Sequence, residues 1–75
     1  MKRVGEVVRT AQGLAILRSP DDSHPGIGTM VIDEDLDGVG RVVDVFGPES
    51  RPYVAVTPDD DVQLPLLLGK AVYAR

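Results

Sequence analysis

The chain has 75 residues, no cysteine and a net charge of −4, from twelve acidic and eight basic side chains. This length fits one domain, residues 1–75, and the lack of cysteine excludes disulfides and thiolate zinc sites. The basic residues are scattered along the sequence, which argues against a dominant direct contact with RNA phosphates. The acidic, lysine-poor balance also fits a halophilic source, where high salt screens self-repulsion.

No segment approaches the ~20 apolar residues of a membrane-spanning helix. Glu6 and Arg9 interrupt the residues that follow the basic start Lys2-Arg3, so no signal-peptide core is predicted. We therefore expect a soluble, cytoplasmic protein that makes no contact with membranes.

Strand-like runs rich in valine recur about every ten residues, separated by glycine, proline and aspartate clusters. The predicted strands are Lys2–Arg9, Leu14–Arg18, Thr29–Asp33, Val39–Phe46, Tyr53–Thr57 and Lys70–Ala74. Only residues 64–68 suggest a helix, and Pro65 limits it to about one turn. Closing six short strands into a ring removes exposed sheet edges. The sequence therefore predicts an all-β fold, a small closed six-stranded β-barrel.

The fourth and fifth predicted strands are apolar on both faces near the turn that joins them. In Val39–Phe46, strict alternation puts Val43 and Val45 on one face and Val42 and Phe46 on the other. Closing the barrel buries one face, so the other is a candidate contact surface. The alternative is that local loops cover this outer face, since isolated apolar side chains on a surface are common.

The same segment resembles the motif of the GAR-type (Gar-one) subunit of H/ACA ribonucleoproteins, which convert uridine to pseudouridine under guide-RNA direction. The residues that carry the resemblance are Gly40, Val42, Asp44, Phe46-Gly47-Pro48, Pro52-Tyr53 and Val56. The resemblance implies an archaeal, non-catalytic subunit with a six-stranded barrel similar to a domain of translation elongation factors. It also implies docking on the pseudouridine synthase subunit, where it would bias a mobile loop that gates substrate loading and product release.

Other expectations follow from this resemblance. The protein would be a monomer on its own, would need no cofactor, and would meet guide RNA only indirectly through the complex. The predicted partner-binding residues are Val43, Val45, Phe46, Gly47, Pro48, Pro52 and Tyr53. The chain departs from the family at Glu49, often aliphatic there, at Thr57, where a basic residue is common, and in the acidic loop 33–37.

A direct nucleic-acid-binding barrel of a translation or ribosome-maturation factor is the alternative. Phe46 or Tyr53 would then stack on bases, as aromatic side chains do in single-strand binding proteins. Such platforms usually lie in a positive groove, and only Arg41 and Arg51 stand near the motif. The charge pattern therefore favours the protein-docking hypothesis.

Three groups of residues are of the types that bind metals or act in catalysis. The run from Asp33 to Gly38 matches the first half of a calcium loop and places Asp44 at the twelfth position, but its flanks are predicted strands rather than helices. Asp59-Asp60-Asp61 is typical of a solvated charge run. His24 has no second histidine or cysteine to complete a transition-metal site, and a Ser23–His24 nucleophile pair is disfavoured because sequence neighbours rarely face each other. We predict no metal site and no catalytic residues.

Overall fold

The computed structural model describes residues 2–74, and these form an almost entirely β structure. The strands are β1 (Lys2–Ala11), β2 (Leu14–Arg18), β3 (Met30–Ile32), β4 (Gly38–Phe46), β5 (Tyr53–Pro58) and β6 (Ala71–Ala74). One short 3₁₀ helix, Leu64–Leu67, lies between β5 and β6 and has proline in its first turn.

The six strands close into a barrel in the order β1-β2-β5-β4-β3-β6, with β6 returning to β1. Every neighbouring pair is antiparallel. Closure gives each strand a hydrogen-bonded neighbour on both sides, which suits a chain too small to cover an open sheet. The predicted all-β, closed six-stranded barrel is confirmed.

The turns lie where the glycine, proline and aspartate clusters predict them. Gln12 and Gly13 join β1 to β2 with φ of 53° and 76°. Two positive φ values in a two-residue connection match the right-handed twist of the strands it joins. Thr29 and Asp33, predicted to be in strand, lie in turns instead, because Thr29 donates its N–H to Gly26 and Asp33 accepts from Leu36.

Valine dominates the interior of the barrel. The fully buried side chains include Leu17, Val42, Val54 and Val56, and the 3₁₀ helix adds Leu67 to the same cluster. Branched side chains suit this position because their restricted χ1 angles fit extended strands and pack closely in a narrow barrel. The core contains no aromatic side chain among residues 2–74.

Close packing of neighbouring strands requires glycine at two positions. A Cβ added to Gly40 would overlap the carbonyl oxygen of Thr57 on the neighbouring strand, and one on Gly5 would overlap the carbonyl oxygen of Arg18. Both positions lie beside register shifts in the barrel, where bulged strands bend to close the ring.

In the span from residue 2 to residue 74, no helix is long and apolar enough to cross a lipid bilayer.

Candidate functional site

A β-bulge at Val43 decides which side chains of β4 face outward. Val42 is opposite Val56, whereas Asp44 is opposite Ala55, so Val43 is an extra residue without a partner on β5. Val42 is 0% exposed and Val43 is 38% exposed. After the bulge, the side chains of β4 that face inward and outward are therefore exchanged relative to strict alternation.

This bulge corrects the predicted faces of β4. Strict alternation placed Val42 and Phe46 on one face, but Val42 lies in the core and Phe46 is 38% exposed. Val45, predicted to share the outer face with Val43, is half-buried and packs against the core opposite Val54. Only Val43 of the two valines predicted to contact the partner is exposed.

Phe46, Tyr53 and Arg18 form a continuous stack on the outside of the barrel, which we call the outer stack. The three residues are directly opposite one another on β4, β5 and β2. The rings of Phe46 and Tyr53 are stacked at 5.5 Å between centroids and 20° between planes. The guanidinium carbon of Arg18 lies 4.6 Å from the Tyr53 ring centroid, and its Nη1 donates a 2.7 Å hydrogen bond to the Tyr53 hydroxyl. Stacking and cation–π contacts each stabilise such an arrangement.

The connection between β4 and β5, residues 47–52, holds the outer stack in place. Gly47 has a φ of 88°, and a Cβ there would lie 2.9 Å from Cδ2 of Tyr53. Only glycine both adopts this φ freely and lets the backbone lie against the ring. Arg51 donates its N–H to the carbonyl oxygen of Pro48 at 3.2 Å. The connection is longer than the tight turn predicted by the Gly-Pro pair, but it is hydrogen-bonded.

The same connection is tied to the end of β2. Ser19 donates its N–H to the carbonyl oxygen of Pro52 at 2.9 Å, and Nε of Arg51 donates to the carbonyl oxygen of Ser19 at 2.8 Å. Pro52 is buried. Of the predicted partner-binding residues, Val43, Phe46, Gly47 and Pro48 are exposed, Tyr53 and Val45 are half-buried, and Pro52 is buried.

A shallow groove borders the outer stack at this end of the barrel. Its walls are the loop after β2 and the 47–52 connection. The lining residues are Asp22, His24, Val45, Phe46, Gly47, Pro48, Glu49 and Pro52. Two carboxylates at its walls give the groove an acidic character.

Exposed apolar side chains also occur away from the outer stack. Val42 exchanges backbone hydrogen bonds with Gly28 and Thr29, at 2.8 and 2.9 Å, so the segment after Ile27 lies against the bulge. Ile27 itself is 71% exposed. The others are Val8, Met30, Leu36, Leu66 and Leu68. Single exposed apolar residues are normal, whereas the outer stack is distinguished by ordered contacts between its side chains.

Arg18 is the member of this surface that sequence reasoning missed. Nothing in its local sequence sets it apart, because its contact with Tyr53 joins residues 35 positions apart in the chain. The one signal in the sequence was that Arg18 ends an apolar strand. An arginine at that position lies next to a residue of the strand that pairs with it.

The acidic loop before β4 brings three carboxylates together. Side-chain oxygens of Asp33, Asp35 and Asp37 lie within 4.8 Å of one another. Asp33 Oδ1 already accepts backbone N–H groups from Asp35 at 2.8 Å and Asp37 at 3.0 Å, which explains the loop without an ion. Asp44, which falls at the twelfth position of the calcium-loop pattern, is absent from this cluster and accepts the N–H of Val45 instead.

The loop after β2 shows no nucleophile pair. The hydroxyl of Ser23 donates to Asp21 at 2.7 Å, and His24 Nδ1 lies 3.0 Å from the carbonyl oxygen of Pro25. The side-chain and backbone hydrogen bonds from Ser23 hold the pKa of Asp21 below its usual value. Asp59 makes a backbone turn with Val62, as expected of a solvated charge run.

Comparison with known proteins identifies a similar fold among solved structures. No family model and no curated protein matches the sequence. Among solved structures, the chain is similar to one described as the Gar1 domain of NAf1, with a TM-score of 0.74 and 19% sequence identity. The match covers 99% of this chain and 85% of that chain. At this identity the likeness establishes that the barrel has a Gar1-like fold.

Proposed function

We propose that this chain is a non-catalytic protein subunit of an archaeal H/ACA ribonucleoprotein. In this proposal it binds the pseudouridine synthase subunit and supports guide-RNA-directed pseudouridylation of ribosomal RNA. The observation that carries the proposal is the outer stack, which exposes the Phe-Gly-Pro motif on a barrel with a Gar1-like fold. The same proposal places the protein in the cytoplasm of a halophilic archaeon.

The geometry of the outer stack suits protein docking. Binding energy at protein interfaces concentrates in a few residues, and tyrosine and arginine are enriched among them. Phe46 and Tyr53 are ordered by each other and by the Gly47 backbone before any partner arrives. This preorganisation lowers the entropy lost on binding. Val45 and Pro52 support the surface from beneath in this proposal and do not touch the partner.

Docking can affect synthesis without contributing a catalytic group. A subunit that contacts one conformation of a mobile synthase loop more favourably than another shifts the loop toward that conformation. The resemblance to GAR-type subunits suggests the loop that gates substrate loading and product release. Guide RNA then meets this chain only through the complex.

The outer stack also supports a second candidate, a barrel that binds single-stranded nucleic acid. Exposed aromatic rings beside an arginine are a common platform for stacking bases. The surroundings oppose this candidate, because Glu6, Asp44 and Glu49 are all exposed near the stack and the whole chain carries −4. A phosphate backbone would be repelled by Asp44 and Glu49 and less by Glu6, whose carboxylate is paired with Arg3.

Co-elution separates the two candidates. The purified chain is mixed with an archaeal pseudouridine synthase subunit in the absence of RNA and run on a sizing column. We expect a complex that persists at high salt, because its core contacts are apolar. Failure to form a complex, together with sub-micromolar RNA binding that weakens steeply with salt, would favour the nucleic-acid candidate.

A further inference from the structure

We infer that Arg18 binds a carboxylate side chain of the partner protein and so determines which surface the outer stack accepts. This inference rests on the proposed function, because it concerns the same docking surface. It goes further by assigning a specific residue and the chemistry of its target.

Arg18 is held in one orientation by its neighbours. Its guanidinium lies over the Tyr53 ring, with the carbon 4.6 Å from the centroid, and its Nη1 is hydrogen-bonded to the Tyr53 hydroxyl at 2.7 Å. The side chain is half-buried, and Nε is inaccessible and has no hydrogen-bond partner. Its Nη1 and Nη2 atoms carry further N–H donors, and two parallel donors of this kind match the two oxygens of a carboxylate.

Arg18 also lacks a counter-charge. Glu6 on β1 is directly opposite Arg18 in the strand register. Its carboxylate, however, forms an ion pair with Arg3 at 3.8 Å. That contact is the one ion pair found within residues 2–74. A half-buried cation without a counter-charge is unfavourable, and a carboxylate supplied by another protein would relieve this cost.

The charges around Arg18 favour a single carboxylate over a nucleic acid. Glu6 is paired in register with Arg18, and Asp44 lies two residues before Phe46 on the same outer face. A polyanion laid across the outer stack would meet both of these negative charges. A protein segment can present one acidic side chain to Arg18 and apolar side chains to Phe46, so it meets less repulsion than a polyanion does.

Three variants test the role of Arg18 in binding the synthase subunit. Arg18→Gln removes the charge, and Arg18→Lys keeps it but loses the planar fork. Arg41→Gln is the matched control, since Arg41 is an exposed arginine paired with Met30 and Thr57, away from the stack. We expect Arg18→Gln to weaken binding by about tenfold or more, Arg18→Lys by less, and Arg41→Gln by less than about twofold.

Thermal melts establish that each variant is folded before its binding is compared. Wild-type binding with equal affinities for Arg18→Gln and Arg41→Gln would overturn the inference while leaving the proposed function intact. Absence of wild-type binding would count against the proposed function, and a second experiment then decides the inference alone.

The second experiment needs no synthase. The ¹⁵N-labelled protein is titrated with the capped peptide Leu-Glu-Leu, with Leu-Gln-Leu as the neutral control, and with a uridine oligonucleotide. We expect the Nε–H signal of Arg18 to shift with the acidic peptide and to respond less to the other two. Equal shifts with both peptides, or a larger shift with the oligonucleotide, would overturn the inference.

Discussion

Replacing Val42 by aspartate tests whether the bulge at Val43 sets the inner and outer faces of β4. Val42 is 0% exposed and packs in the barrel core, so the new carboxylate would be buried without a partner. An uncompensated buried charge costs about 3–5 kcal/mol. A chain of this length has roughly 4–11 kcal/mol of total stability, so Val42→Asp should remove a large part of it. Val43→Asp puts the same group on a side chain that is 38% exposed and should cost less than about 1 kcal/mol.

Thermal unfolding followed by circular dichroism measures both variants under the same conditions. For a domain of this size, 1 kcal/mol corresponds to a shift of about 4–8 °C. We expect Val43→Asp to melt within about 8 °C of the wild type and Val42→Asp to melt at least about 12 °C below it. A folded Val42→Asp with a melting temperature near that of Val43→Asp would refute the assignment of the faces.

Three further predictions concern the loops. Gln12→Asn should raise the melting temperature by about 2–4 °C, because asparagine tolerates positive φ better than glutamine in this type of turn. The folded pKa of Asp21 is lowered, so its stabilisation is present above the unfolded pKa and is lost as the pH falls through the folded one; Ser23→Ala should return that pKa toward its ordinary value in an NMR titration. Millimolar calcium should raise the melting temperature no more than matched ionic strength does, and a saturable shift removed by Asp33→Asn would contradict this.

The sequence predicts the barrel well because its turn residues and the regular spacing of its strand-like runs are local signals. Turn residues such as Gln12-Gly13 and Gly47-Pro48 constrain the backbone wherever the strands pair, and the structure has turns at both places. β3 is shorter than the sequence predicts because backbone hydrogen bonds close a turn at each of its ends, one in the β2–β3 connection and one in the β3–β4 connection.

The candidate site is less accessible to sequence reasoning because it depends on register. The run Val42-Val43-Asp44-Val45 is compatible with strict alternation or with a bulge, and only pairing with β5 decides between them. Arg18 joins the site through strand pairing over a long sequence separation. The sequence indicates that Phe46 and Tyr53 are important, but it does not show that they lie outside the core.

The most direct test of the proposed docking role is the affinity of the folded Phe46→Glu variant for an archaeal pseudouridine synthase subunit, measured by titration calorimetry without RNA beside the wild type. Phe46 is partly exposed in the centre of the proposed surface, so the variant should remain folded while placing a charge against an apolar partner. Docking through this surface predicts saturable one-to-one binding by the wild type and a loss of at least about thirtyfold in affinity for the variant. Equal affinities, or no binding by the wild type, would contradict it.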